Sequence, residues 1–158
     1  MQPGSVKNEE ESLLIYSSGA VKGKSSYKDG VLHGQSSFYT ESGRLLSSTF
    51  FVEGHAEGRA EQFYSSGALY ATLFYKRGLL HGTQTYFYEN GETKTLLYYE
   101  AGLLEGETLL FWPSGTLKRR SFYHLGIKEG REEILSEKGI VLDEGSFEKG
   151  IPVGVHRI

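Results

Sequence analysis

The chain has 158 residues, with 17 Lys or Arg against 20 Asp or Glu, for a formal charge of −3. So small a charge leaves no broad basic field to hold nucleic acid, and no nucleic-acid partner is expected. The absence of cysteine removes disulfides, thiolate metal sites and cysteine nucleophiles together, so packing and backbone pairing must hold the fold.

In chain order, residues 1–12 (MQPGSVKNEEES) contain no apolar run of signal-peptide length and read as a disordered, solvated tail. Residues 13–158 form one array. Eighteen of the 21 glycines fall in three series, each with a period of 24 residues. One runs from Gly19 to Gly139, the second from Gly30 to Gly150, the third from Gly34 to Gly154. A fixed period of this length marks a short unit stacked about six times, not a compact globule.

Within one unit, Ser36–Tyr39 and Leu45–Phe51 carry aromatic and aliphatic residues interleaved with serine and threonine. Thr40-Glu41-Ser42-Gly43 lies between them. Two β-prone runs around a short loop ending in glycine predict a hairpin. Pro113 supports a type I turn, because proline fixes φ near −65° at the first central position. Gly115 then takes the left-handed conformation that closes a bulged hairpin. The next segment, such as Gly30-Val31-Leu32-His33-Gly34, reads as a link to the following hairpin, with its apolar pair tucked against the sheet. The prediction is an all-β, elongated array of antiparallel β-hairpins. About six 24-residue units make a twisted single ribbon of twelve or so strands, roughly 55 Å long.

Strand alternation separates two faces. Tyr27, Phe51, Tyr75, Tyr99, Tyr123 and Phe147 share one face with Leu73, Leu97 and Ser121, and this face reads as the structural ladder. The opposite face is polar at the ends and apolar in the middle, where Phe50, Tyr70, Phe74, Tyr98 and Phe122 fall. An apolar middle fits either a second packed layer or a contact surface.

The phrases YKDGVLHGQSSFYTESGRL, YKRGLLHGTQTYFYENGETK and YEAGLLEGETLLFWPSGTLK resemble the MORN-type repeat. They look most like its bacterial variant in the YwqK family of toxin–antitoxin antitoxins. The shared motif is an aromatic, two residues, Gly, an apolar pair, one residue, Gly, then an aromatic cluster and a turn glycine. The resemblance runs from about Leu13 to Ile158 and implies a hairpin array that binds proteins or, in some relatives, membrane lipids. The antitoxin likeness implies neutralisation of a toxin by direct binding. Ser136 and Ser146 stand at aromatic positions, so the sixth unit reads as a C-terminal cap.

Chemistry finds little footing. His33 and His81 share one repeat position two units apart, roughly 19 Å at four strand spacings, too far to share a zinc ion. No Gly-x-Ser-x-Gly or Walker-type sequence appears, and glutamates such as Glu57, Glu105 and Glu129 sit in links and turns. No enzyme activity, cofactor or metal is expected.

The expectation is a cytoplasmic scaffold that holds a protein partner through Phe50, Tyr70, Phe74, Tyr98 and Phe122, with Trp112 at a tyrosine position. The alternative is a peripheral membrane module using Lys118, Arg119 and Arg120 against anionic lipid. A third reading is a structural spacer or oligomer whose terminal strands pair end to end.

Overall fold

The computed structural model describes residues 8–157, with side chains placed as far as residue 154. Its first half contains β1 (Glu9–Ile15), β2 (Val21–Lys28), β3 (Val31–Tyr39), β4 (Leu45–Val52), β5 (His55–Ala56), β6 (Gly58–Phe63), β7 (Leu69–Lys76), β8 (Leu79–Leu80) and β9 (Gly82–Phe87). The second half continues with β10 (Thr93–Glu100), β11 (Leu103–Leu104), β12 (Gly106–Phe111), β13 (Leu117–His124), β14 (Ile127–Lys128), β15 (Gly130–Leu135), β16 (Val141–Glu148) and β17 (Ile151–Arg157). All pair antiparallel in one open, meandering sheet whose edges are β1 and β17.

Four pairs of these strands are pieces of longer ones. In β5–β6, Phe51 faces Ala56 while Ser48 faces Glu61, so two extra residues bulge out around Glu57 and Gly58. The same interruption falls at His81, Glu105 and Glu129. Merging the interrupted pairs leaves thirteen runs, six hairpins and one further strand. The first run starts at Glu9, so residues 9–12 belong to the array and not to the tail. Residues 1–7 lie outside the described residues.

Two kinds of turn alternate. At Trp112–Thr116 the Gly115 N–H donates to the Trp112 carbonyl and the Trp112 N–H to the Thr116 carbonyl, both at 2.8 Å. Gly115 has φ +84, the left-handed conformation of a bulged hairpin, and Pro113 holds the first central position. The other kind closes at the second glycine series. At Glu53-Gly54 both residues have positive φ, 48° and 83°, which makes a two-residue type I′ hairpin. The residues after it are not a link but the start of the next strand. Val31, Leu79, Leu103 and Ile127 consequently face solvent, and only Leu32, Leu80 and Leu104 are half-buried.

A single-layer sheet buries a residue only when its neighbours on the same face close over it. Here the middle of that face carries small or slender side chains: Ser36, Ala60, Leu73, Gln84, Thr108 and Ser121. Ala71 and Gln84 are fully buried. Tyr70, Tyr75, Leu80 and Tyr86 pack around Ala60, Ala71 and Leu73. Gln84 also repairs the bulge: its Oε1 accepts from the Phe74 N–H at 2.8 Å, and its Nε2 donates to the Gly82 carbonyl at 3.0 Å. A buried amide with every group occupied costs little.

Neighbouring units are tied together along both long edges of the ribbon. On the bulged-turn edge, Tyr16 Oη donates to the Tyr39 carbonyl, Tyr64 to Phe87 and Tyr88 to Phe111, each at 2.8 Å. Trp112 Nε1 does the same to Leu135 at 3.1 Å. Thr40 holds the equivalent place in the second unit and is too short. There Arg44 reaches the Ser66 carbonyl at 3.1 Å instead. On the type I′ edge, the Gly54 N–H donates to the Leu32 carbonyl at 2.8 Å, and Gly78, Gly102, Gly126 and Gly150 repeat the bond.

Candidate functional site

The side opposite the packed face carries the candidate site. Phe50, Phe74, Tyr98 and Phe122 occupy one repeat position, and about two-fifths of each is exposed (43%, 39%, 42% and 37%). Successive members lie two strands apart, roughly 9.6 Å along the ribbon. Their cross-strand partners are polar: Gln35, Arg59, Thr83 and Glu107. In the adjoining row Leu96 faces Thr85 on one side and Leu109 on the other, both leucines half-buried, so the patch is most apolar beside Tyr98. Ser26 and Ser146 take the same position in the end units and close the patch with polar residues.

Its charges satisfy one another. Arg59 pairs with Glu61 at 2.8 Å, and Arg120 lies 3.0 Å from Glu107 and 3.7 Å from Glu133. Arg131 bridges Glu133 and Glu144, each at 2.8 Å. Exposed pairs of this kind add little stability, but they leave the patch rimmed by mutually neutralised groups.

Two expected members of the site lie elsewhere. Tyr70 stacks edge-on against Tyr64 at 5.1 Å and Tyr86 at 5.7 Å, within the packed face. The cause is a register slip: Gln62 faces Ala71 but Phe63 faces Leu69, leaving Tyr70 as the extra residue of a bulge. Alternation fails at a bulge, so the parity argument that grouped Tyr70 with Phe74 does not hold. Trp112 is occupied by its bond to Leu135 and by Lys118, whose Nζ sits 4.3 Å from the ring centroid.

The basic run does not form one patch either. Lys118 lies over Trp112, and the same slip between Leu110 and Phe111 places it. Arg119 and Arg120 are consecutive in β13 and point to opposite faces. Arg119 sits near Glu132 on the packed side, while Arg120 is held between Glu107 and Glu133.

The glutamates placed in links and turns cap the turns of neighbouring units. The Glu57 carboxylate accepts from the Arg77 N–H at 2.7 Å, Glu105 from Leu125 at 2.8 Å and Glu129 from Lys149 at 2.8 Å. His33 Nδ1 accepts from the Glu53 N–H at 3.4 Å. Each acceptor serves a left-handed turn residue of the neighbouring unit. Glu105 also meets His124 Nδ1 at 2.9 Å. That hydrogen bond raises the His124 pKa, while the Leu125 N–H, followed by His124, lowers that of Glu105. On the packed face Glu132 is pushed up by burial, but hydrogen bonds from Lys128 and Ser121, each 2.6 Å, outweigh it and its pKa falls.

The family model described as the MORN repeat variant matches three units, residues 56–77, 80–101 and 104–124. Those segments are the middle of the ribbon and hold Phe74, Tyr98 and Phe122. The units before and after them fall outside the match, where Ser26, Thr40, Ser136 and Ser146 replace aromatics. No curated protein matches the chain.

Proposed function

We propose that this protein is a non-enzymatic scaffold that holds a protein partner on its outer face, anchored by Phe50, Phe74, Tyr98 and Phe122. The observation that carries the reading is the row itself: four exposed aromatics at one repeat position, ending where the terminal units turn to serine. Large apolar rings left in water by a sheet that has another face for packing are favourable anchors for a partner. MORN repeats are protein- or lipid-binding modules, which fits. In its most specific form the scaffold is a bacterial, cytoplasmic antitoxin or immunity protein that neutralises its partner by covering it.

The lipid alternative has less support, because Lys118 and Arg120 are engaged by Trp112 and by two glutamates. The test is capture from the native cell by the wild-type chain and by a Phe74→Ser/Tyr98→Ser/Phe122→Ser variant. Loss of one captured protein with the fold intact supports the outer face. An unchanged set of captured proteins rejects it. Co-sedimentation with vesicles containing anionic lipid at low salt, lost on replacing Lys118, Arg119 and Arg120 by alanine, would favour the membrane instead.

A further inference from the structure

We infer that two copies of this chain pair isologously through their first strands, β1 against β1, and not end to end. Among the described residues the sheet has two open edges, and the direction of its strands decides what can extend it. Thirteen alternating runs make β1 and β17 point the same way. Laying β1 of a second copy beside β17 by translation therefore gives a parallel pair in an otherwise antiparallel sheet. Turning the second copy over restores the antiparallel sense but sets a packed face beside an outer face. A copy rotated about the sheet normal keeps both sense and faces, and it brings like edges together.

Of the two like-edge pairings, β17 is blocked. Pro152 faces Phe147 next to the Lys149-Gly150 turn. At the equivalent positions Leu32, Ala56 and Leu80 the backbone points away from the hairpin partner, where the carbonyls receive Gly54, Gly78 and Gly102. Pro152 thus removes a donor on the open side, a common protection of edge strands.

β1 has no such guard. The Tyr16 N–H donates to the Ala20 carbonyl, towards β2, so alternation turns the backbone of Glu11, Leu13 and Ile15 outward. Leu13, Leu14 and Ile15 are about half exposed (54%, 52% and 47%). A two-fold axis at Leu13 sets Leu13 opposite its own mate, Ser12 opposite the second copy's Leu14 and Glu11 opposite its Ile15. Glu11 is already paired with Lys24 at 2.8 Å, and Glu9 and Glu10 stay clear of their mates.

Sedimentation equilibrium of the 158-residue chain from about 5 μM to about 0.5 mM spans the affinity of so small an interface. The average mass should climb from 17.6 kDa to a plateau at twice that value. Leu13→Pro removes an outward donor without touching the β1–β2 ladder and should hold the chain at the monomer mass. Leu13→Lys, a charge on the same edge, is the second variant should the proline disturb the strand. A monomer at every concentration, growth beyond the dimer, or a dimer untouched in a folded Leu13 variant overturns the inference. If the wild type is monomeric and removal of residues 1–7 yields the dimer, the edge belongs to the chain's own N-terminal segment and the inference also fails.

Discussion

Trp112 donates its indole N–H to the Leu135 carbonyl at 3.1 Å, in the place where Tyr16, Tyr64 and Tyr88 use a phenol hydroxyl. The sole tryptophan, half-buried, is thus a tie between units, although a tryptophan on a repeat surface invites a binding role. Trp112→Phe should lower stability by about 1 kcal/mol, the net worth of a hydrogen bond whose carbonyl loses its donor. Trp112→Tyr should recover most of that loss. Urea unfolding midpoints of the three proteins check it, and equal midpoints for Phe and Tyr would contradict the tie.

The two aromatic classes should separate by stability. Phe74 is exposed on the outer face, so Phe74→Ser should cost under about 1 kcal/mol. Tyr70 packs against Tyr64 and Tyr86, and Tyr70→Ala should cost about 2–3 kcal/mol through lost contacts. Thermal melts of both variants, set beside partner capture, show whether binding and packing reside on opposite faces.

Leu125 has φ +48 at the first central position of a type I′ turn, where a bulky residue is strained and asparagine is at ease. Leu125→Asn should raise stability by about 0.5–1 kcal/mol. Its side chain is 60% exposed, so little packing is lost. A fall in the denaturation midpoint would show that the exposed leucine contributes more than its backbone costs.

His124 and Glu105 should titrate as partners. The hydrogen bond that His124 donates to the Glu105 carboxylate raises the His124 pKa above its ordinary 6.5, so the stability it contributes is complete below 6.5 and disappears as pH rises through the raised value. NMR titration of the imidazole should show the elevated pKa in the wild type and a return towards 6.5 in Glu105→Gln. An unchanged histidine pKa in that variant would dissociate the two.

Glu132 sets the acid limit of the last units. Its lowered pKa contributes stability above the ordinary 4.5, and that stability is lost as pH falls through the depressed value. Glu132→Gln should destabilise the chain by about 1–3 kcal/mol at neutral pH, because Lys128 loses its charged acceptor. The difference between variant and wild type should shrink in acid. Unfolding measured from pH 7 down to pH 3 reads both effects.

The architecture was legible because glycine at a fixed period has one physical use here, the left-handed backbone, in turns such as that of Gly115 and in bulges such as that of Gly58. The outer row was legible wherever strict alternation holds, as for Phe50, Phe74, Tyr98 and Phe122. It failed at Tyr70 and Lys118, since a one-residue slip between strands leaves no mark in a single strand's pattern. The residues after the Glu53-Gly54 turn read as a link because the bulge at Glu57-Gly58 breaks their alternation with the strand they begin. The caps at Glu57, Glu105 and Glu129 join residues twenty apart in adjacent units. Their mark in the sequence is a glutamate directly before a third-series glycine and twenty residues ahead of a non-glycine left-handed turn residue.

Every aromatic tie on the bulged-turn edge spans the same twenty-three residues, from a donor in one unit to a carbonyl in the next. An in-frame duplication or loss of one unit therefore returns each surviving donor to an acceptor of the same kind. Inheritance can change the reach of the ribbon without rewriting its contacts, leaving the outer aromatics free to diversify under a different selection. The second unit, where Arg44 substitutes for a missing aromatic, marks the seam at which such an exchange would be felt first.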